Sequence, residues 1–267
     1  MHGMRGVSNY RTVWISDLHL GTRGCKAEIL LDFLKHVQCD TLYLVGDIID
    51  GWRLKRSWYW SEAQTEVVQE VLRKVRKGTK VIYIPGNHDE TLRDYLGLVM
   101  GGVLVEGEVV HRTAAGKRLL VLHGDQFDTV VRYARWLAVL GDFAYTYLLA
   151  ANTWINHLRK YLGLPYWSLS QYLKHRVKNA VEYISKFEDV VADEARRRGV
   201  DGVVCGHIHH AEMRDIDGIL YCNDGDWVES CSALVEDRQG RLSILRWAEV
   251  GHATRLIGAR DTATAGA

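Results

Sequence analysis

Short β-rich runs recur along the first half of the chain, and each of them stops at a polar cluster. TVWISD, TLYLVGD, VIYIPGNHD and LLVLHGD have this form between Arg11 and His123, with helical stretches among them. Alternating strands and helices predict a largely parallel or mixed sheet that carries helices on its faces. Ligand sites of such sheets lie beyond the carboxyl ends of the strands, where this sequence has its Asp, Asn and His residues.

The spacing of apolar residues locates the helices. AEILLDFLKHV has helical periodicity, and Ser61 with Gln64 has the pattern of a capping box that opens a helix ended by Gly78. The pattern is helical from about 129 to 198, and β-rich runs then return with turn signals at DIDG and DRQG. We therefore expect one domain over 1–267 with a helical insertion at about 129–198.

Composition excludes several classes of protein. With 47% hydrophobic and 25% charged residues the chain is neither disordered nor fibrous, and a net charge of +1 argues against a nucleic-acid partner. The 5 cysteines form no CxxC pair, a pattern typical of reduced thiols in a cytoplasmic protein. The first dozen residues contain no apolar signal segment, and no apolar stretch reaches the roughly 18 residues of a membrane-spanning helix.

The polar clusters contain the side chains that bind divalent metals. A single cluster is more often a structural histidine or a turn, but five clusters in order favour a site. Carboxylate, amide and imidazole donors suit Mn, Fe or Zn. On an extended segment residues i and i+2 point the same way, so each DxH or HxH pair can reach one ion. The clusters are Asp17-Leu-His19, Gly46-Asp47-Ile-Ile-Asp50, Gly86-Asn87-His88-Asp89, His123-Gly-Asp125 and Gly206-His207-Ile-His209.

This order of clusters resembles the calcineurin-like metallophosphoesterase superfamily, whose pattern is DxH, GDxxD, GNH(D/E), H and GHxH. The resemblance implies an α/β fold, a four-layer αββα sandwich of two mixed sheets with an inserted helical lid. It implies two divalent metal ions, most simply Mn with Fe or Zn as alternatives, and a metal-bridging hydroxide as the nucleophile. His88 would donate a proton or a charged hydrogen bond to the leaving group, and Asp50 would orient His88. The implied ligands are Asp17, His19, Asp47 and His209 for one metal, and Asp47, Asn87, His123 and His207 for the other.

Within the superfamily, GDIIDGWRLKRSWYW, the helical insertion and GDWVES resemble the UDP-2,3-diacylglucosamine diphosphatase group. Those enzymes cleave the pyrophosphate of a lipid A precursor into UMP and 2,3-diacylglucosamine 1-phosphate. The best-known branch of the group carries arginine where this chain has His88. The alternatives are a metal-dependent phosphodiesterase acting on a nucleotide or another phospholipid headgroup, and a scaffold without activity.

The predicted insertion is basic and aromatic. Residues 131–180 contain seven basic side chains and one acidic side chain, a local charge of +6, interleaved with Trp and Tyr. This pattern is typical of helices at a bilayer interface or of a lid that receives acyl chains, although a hairpin packed on the sandwich is the structural alternative. We expect a cytoplasmic protein in peripheral contact with the inner membrane. The candidate substrate-binding residues are Arg53, Arg132, Arg135, Lys174 and Lys178.

Overall fold

The computed structural model describes residues 8–128, 184 and 186–248. The chain divides into two compact units, one of residues 1–125 with 192–267 and the other of residues 126–191. Most of the predicted insertion lies outside the described residues, so the single domain with a helical lid stays a prediction. The described part of the insertion is helical over 186–197.

The strands of the larger unit form two mixed sheets. The first runs in the order β12 (Leu242–Arg246), β11 (Ser232–Glu236), β1 (Ser8–Ile15), β2 (Val37–Val45), β3 (Lys80–Ile84), β5 (Val103–Val105) and β4 (Val99–Met100). The second runs in the order β6 (Val109–Arg112), β7 (Arg118–Val121), β8 (Gly202–Cys205), β10 (Ile219–Asn223) and β9 (Glu212–Ile216). The central neighbours β1, β2, β3 and β5 are parallel, as are β7, β8 and β10.

Three helices connect strands of the first sheet: α1 (Ala27–His36), α2 (Gly51–Arg56) and α3 (Glu62–Arg76). The apolar faces of α1 and α3 belong to one core cluster with β-strand residues of that sheet. The Ser61 hydroxyl accepts a hydrogen bond from the Gln64 amide at 3.3 Å, which confirms the predicted helix start. The second hydrogen bond of a capping box would run from the Ser61 amide to the Gln64 side chain. This part of the prediction is wrong, because the Gln64 side chain instead accepts from the Gly21 amide at 3.1 Å. Gln64 thereby holds the loop that follows β1.

A second core cluster lies between the two sheets. Trp14, Tyr43 and Ile82 of the first sheet share this cluster with Val121 and Val204 of the second. The central strands are covered on both faces, by helices on one side and by the other sheet on the opposite side. Their continuous apolar runs follow from this double burial. The α/β fold with two mixed sheets is confirmed.

A buried carboxylate also ties the sheets together. Glu236, at the end of β11, accepts hydrogen bonds from Arg11 and Thr12 at 2.7 Å and from the Ala114 amide at 2.7 Å. Nε2 of His111, from the second sheet, lies 3.0 Å from the same carboxylate. Burial opposes ionisation, but the donors prevail and lower the pKa of Glu236 to about 2. This contact fixes the spacing of the sheets at the end where β1 begins.

Candidate metal centre

The predicted metal ligands lie together beyond the carboxyl ends of parallel strands, as the sequence indicates. Asp17 follows β1, Asp47 follows β2, Asn87 follows β3, His123 follows β7 and His207 follows β8. Because these strands belong to two stacked sheets, their loops converge on one edge of the sandwich. Residues that are far apart in the chain therefore share a single site.

One group of potential ligands consists of Asp17, His19 and His209, whose donor atoms lie within 4.8 Å of one another. Nε2 of His209 is 3.1 Å from Oδ1 of Asp17, and Nε2 of His19 is 3.9 Å from the same oxygen. These residues match three of the four ligands predicted for the first metal. The fourth, Asp47, places Oδ2 at 3.9 Å from Nε2 of His19.

A second group consists of Asp47, His123 and His207, again within 4.8 Å of one another. Nε2 of His123 is 3.5 Å from Oδ1 of Asp47, so the two carboxylate oxygens of Asp47 face different groups. Asn87 lies between Gly86 and His88, and the His88 amide donates to Oδ1 of Asp47 at 2.8 Å. A carboxylate in this position can bridge two cations.

The buried polar atoms of the site test whether the residues fit metal ions. Oδ1 of Asp17, Nε2 of His19, Oδ1 of Asn87 and Nε2 of His123 are buried and form no hydrogen bond to the residues that the structure describes. Buried polar atoms are normally paired, and these four belong to predicted ligands, although the ring nitrogens of His88 and Oδ2 of Asp224 are in the same state. Nδ1 of His123 lies 2.8 Å from the Val45 carbonyl, which can only accept. Nδ1 therefore carries a hydrogen, and Nε2 is the atom that can bind a metal once the imidazole is neutral. The donors fit divalent metal ions.

Backbone conformation corrects one argument from the sequence. The DxH and HxH pairs do not lie on extended segments, because β1 and β8 end before them. Five ligand residues have φ in the left-handed region, which is sparsely populated for residues other than glycine and is concentrated at functional sites. Sharp turns after each strand, rather than the alternation of an extended chain, aim the side chains inward. The φ angles are 50° for Asp17, 48° for His19, 52° for Asp47, 71° for His207 and 55° for His209.

Glycines beside the ligands admit close packing. A Cβ atom on Gly46, whose φ is +80°, would lie 2.2 Å from Nδ1 of His123. A Cβ atom on Gly86 would lie 2.3 Å from Oδ1 of Asp47. Neither position can accept a side chain without moving a ligand, which explains the glycine in the GD and GN dipeptides.

Hydrogen bonds donated by backbone amides join the ligand loops directly. The Asp17 amide donates to the Gly46 carbonyl at 3.0 Å, and the His19 amide donates to the Asp47 carbonyl at 2.9 Å. The His207 amide donates to Oδ2 of Asp17 at 2.9 Å. The positions of the ligands are thus set by the chain itself.

Asp50 holds two imidazoles at once. Its Oδ2 lies 3.2 Å from Nδ1 of His19. Its Oδ1 lies 3.0 Å from Nδ1 of His88, but the angle of this second contact is poor for a hydrogen bond. The Arg53 amide donates to Oδ1 of Asp50 at 2.8 Å. Nε2 of His88 then lies 3.8 Å from Oδ2 of Asp47, and the Trp52 ring covers His88 at a centroid distance of 4.4 Å. His88 also forms a third group of potential ligands with His19 and Asp47, so the proton-donor role of His88 and the orienting role of Asp50 stay predictions.

Neighbouring charges shift the pKa values of residues in the site. Burial disfavours a charged imidazole, yet the neighbouring Asp47 carboxylate raises the pKa of His123 to about 10. Burial also opposes ionisation of Asp17, but His209 and the other imidazoles hold the pKa of that carboxyl well below its usual range. Imidazole must be neutral to bind a cation, so metal binding here is coupled to proton release.

Asp89 is a positioning residue whose role was not predicted from the sequence. Its Oδ2 accepts hydrogen bonds from the Ile48 amide at 2.8 Å and the Tyr83 hydroxyl at 2.6 Å, and its Oδ1 accepts from the Gly86 amide at 2.6 Å. One buried carboxylate thus ties the loop of Asp47 to the loop of Asn87. The acidic residue in GNH(D/E) was the available signal, but its partners are distant in sequence.

Replacing Asp89 by Asn is expected to weaken Mn²⁺ binding about 10- to 100-fold, as is usual for residues that orient metal ligands. An amide group in this position turns one acceptor into a donor that faces other donors. Calorimetric titration with Mn²⁺ measures the effect. Tyr83→Phe is the matched control, because it removes one donor and leaves the amide contacts of Asp89 intact. Affinity in Asp89→Asn equal to that of the wild type would contradict this role.

The buried hydroxyl of Ser16 contacts the Asp17 carboxylate. Oγ of Ser16 lies 2.6 Å from Oδ2 of Asp17 and 2.7 Å from Oδ1 of Asp224. Burial raises the pKa of Asp224 well above its usual value. Gly225, the next residue, begins the GDWVES stretch, which was cited above only for resemblance, and its carbonyl accepts from Oγ of Ser16 at 3.0 Å. The stretch therefore contributes contacts to the site.

Comparison with known proteins identifies the family. The family model described as calcineurin-like phosphoesterase matches residues 10–211. The chain belongs to this family. Calcineurin-like phosphoesterases use divalent metal ions, so the chain is a metal-dependent hydrolase of phosphoesters or pyrophosphates, and the scaffold alternative is wrong.

Curated relatives of this calcineurin-like phosphoesterase are UDP-2,3-diacylglucosamine hydrolases. The protein from Chromohalobacter salexigens is 25% identical over 222 residues, which cover 78% of this chain and 84% of that protein. The protein from Vibrio cholerae is 25% identical over 252 residues, covering 85% and 95%. Among solved structures, a phosphoesterase from E. coli has a TM-score of 0.41 at 13% identity, covering 88% of this chain and 98% of that one.

One of the five predicted substrate-binding residues lies within the described part of the chain. Arg53 is exposed on α2, two residues beyond the N-terminal glycine of that helix. The candidates from the insertion lie outside the described residues and stay predictions: Arg132, Arg135, Lys174 and Lys178. None of the described helices is both long and apolar enough to cross a bilayer.

Proposed function

We propose that this calcineurin-like phosphoesterase cleaves the pyrophosphate of UDP-2,3-diacylglucosamine, giving UMP and 2,3-diacylglucosamine 1-phosphate. The observation that carries the proposal is the pair of ligand groups joined at Asp47, with His88 beside the junction. The substrate is supported by relatives of that name that align with more than three quarters of the chain. We further propose two Mn²⁺ ions as cofactors and a peripheral position on the cytoplasmic side of the inner membrane.

Three residues of the site have separate roles in the proposed reaction. When bound, the metal ions polarise the phosphoryl group and activate water. Asp47 would contribute one oxygen to each of the two ligand groups. Water adds across the P–O–P bridge, so one phosphate leaves on the bridging oxygen, and Nε2 of His88 gives that oxygen a proton. Asp50 directs Nε2 of His88 into the site by its contact at Nδ1.

The test compares two UDP sugars that share the reacting pyrophosphate. Purified protein loaded with Mn²⁺ is expected to release UMP from UDP-2,3-diacylglucosamine on the order of 100-fold faster than from UDP-N-acetylglucosamine. Acyl chains account for the difference, since each buried methylene contributes about 0.8 kcal/mol. Quantifying UMP by chromatography gives both rates under the same conditions.

The outcomes separate the substrate from the chemistry. Equal rates on the two compounds, or no reaction with the acylated one, would reject the lipid substrate. Cleavage of a small chromogenic phosphodiester in the same sample would then favour the alternative, a phosphodiesterase for a nucleotide or another phospholipid headgroup.

A further inference from the structure

An exposed surface rich in aromatic and basic side chains borders the metal centre. Two of its tryptophans are among the exposed large hydrophobic residues of the structure, Trp58 at 76% and Trp52 at 41% exposure. Such exposure of tryptophan is unusual unless a partner covers it. We call this the aromatic–basic surface, and it consists of Arg23, Trp52, Arg53, Lys55, Arg56, Trp58, Tyr59 and Trp60.

The surface carries basic side chains that form no ion pair within the part of the chain that the structure describes. Residues 51–61 contain three basic side chains and no acidic one. Arg53, Lys55 and Arg56 are exposed, and none forms an ion pair with a residue that the structure describes. In contrast, Arg93 and Arg238 are paired with Asp125 and Asp40. Unpaired cations beside exposed indoles favour an anionic, amphiphilic partner.

The surface is continuous with the catalytic end of the molecule. Asp50, which holds His88, is also the N-cap of α2, the helix that carries Trp52, Lys55 and Arg56. The Trp52 ring packs on His88, and its Nε1 donates to Glu90 at 3.4 Å. Whatever binds this surface therefore lies next to the opening of the metal centre.

The ring contacts favour a lipid surface over single-stranded nucleic acid. Nucleic-acid bases need open aromatic faces on which to stack. Here Arg23 covers the Tyr59 ring at 4.4 Å, Trp60 and Trp58 stack on each other at 6.4 Å, and Trp52 lies on His88. Tryptophan and tyrosine rings with one contact each, together with Lys and Arg, are the composition found at the headgroup level of bilayers.

We propose that the aromatic–basic surface docks the enzyme on a bilayer that contains anionic phospholipid. The inference extends the proposed function by naming the surface that makes the peripheral contact, and it rests on that function only in the choice of a lipid partner. Docking through α2 brings the metal centre to the membrane, so an amphiphilic substrate reaches it without leaving the lipid phase.

The test measures binding of the full chain to vesicles without substrate. We expect cosedimentation with vesicles of phosphatidylglycerol and phosphatidylethanolamine, much less with phosphatidylcholine alone, and weaker binding as salt is added. The double variant Lys55→Glu/Arg56→Glu should lose about tenfold or more in vesicle affinity, because charges near an anionic surface dominate such binding. Trp58→Ser should weaken binding with an unchanged far-UV spectrum, because its side chain is exposed.

The matched control places the same charge change elsewhere. Arg112→Glu/Lys117→Glu alters the exposed β6–β7 hairpin, at the start of β7 and thus remote from His123, and should leave vesicle binding within about twofold of the wild type. The proposal is wrong if the chain does not bind anionic vesicles. It is also wrong if both double variants lose affinity equally, or if single-stranded RNA binds the surface more tightly than vesicles.

Failure of this proposal and failure of the proposed function are distinguishable. Vesicle binding that survives in Lys55→Glu/Arg56→Glu and Trp58→Ser would assign the membrane contact to another part of the chain and leave the UMP-release assay unaffected. A chain that binds vesicles through this surface but does not cleave UDP-2,3-diacylglucosamine would retain the docking surface and lose the substrate.

Discussion

Replacing Asp47 by alanine is expected to abolish hydrolysis and to release metal, the largest effect of any single substitution in the site. Its Oδ1 lies 3.5 Å from Nε2 of His123 and its Oδ2 lies 3.9 Å from Nε2 of His19, so each ligand group loses an oxygen. The variant also removes the acceptor of the His88 amide. We expect turnover to fall on the order of a thousandfold or more, with metal content measured by elemental analysis after gel filtration.

A neighbouring acid provides the control for Asp47→Ala. Asp125 also belongs to a polar cluster, but its carboxylate pairs with Arg93 at 2.7 Å. Asp125→Ala should therefore keep the full metal content. Retention of two metals per chain by Asp47→Ala would refute the bridging role of Asp47, even if activity were lost.

Replacing His88 by alanine is expected to lower turnover about 10²- to 10⁴-fold, the range for loss of a general acid, while metal binding is retained. His88 lies beside Asp47 and contacts Asp50, but the groups around Asp17 and around His123 each contain three potential ligands without it. The measurement pairs elemental analysis with rates on two substrates, one with a good leaving group and one with a poor leaving group.

Comparing the rate losses on the two leaving groups shows whether His88 acts as a general acid. A general acid matters most when the departing oxygen is basic, so the loss should be larger for the poor leaving group. An equal loss on both substrates would indicate that His88 only positions the phosphoryl group. Loss of metal from His88→Ala would instead make His88 a ligand, in line with its position near His19 and Asp47.

The sequence predicted the composition of the site better than its geometry. The order of the five clusters located the groups around Asp17 and Asp47, because ligand loops of parallel strands must meet at one edge of the sheets. Extended-strand geometry was the wrong reason for their convergence, since Asp17 and His209 have left-handed backbone. A local pattern of residue types does not report φ where the chain turns out of a strand.

Contacts between residues that are far apart in the sequence could not be predicted either. Asp89 binds the amide of Ile48, 41 residues away, and Ser16 contacts Asp224 across 208 residues. Such pairs depend on which strands become neighbours, and periodicity does not specify strand order. The exposed tryptophan at position 58 was likewise invisible, because an indole in a polar loop has the same sequence pattern whether it packs inward or faces solvent.

Backbone hydrogen bonds between the ligand loops, such as that from His19 to Asp47, have a consequence for how the enzyme matures. Peptide groups contribute to the shape of the metal centre, so we expect the newly made chain to fold without a cation as a template. Ions can then enter and exchange in the finished protein. Carboxylate, amide and imidazole donors suit several divalent cations, so we expect the ion in use to follow its supply in the cell.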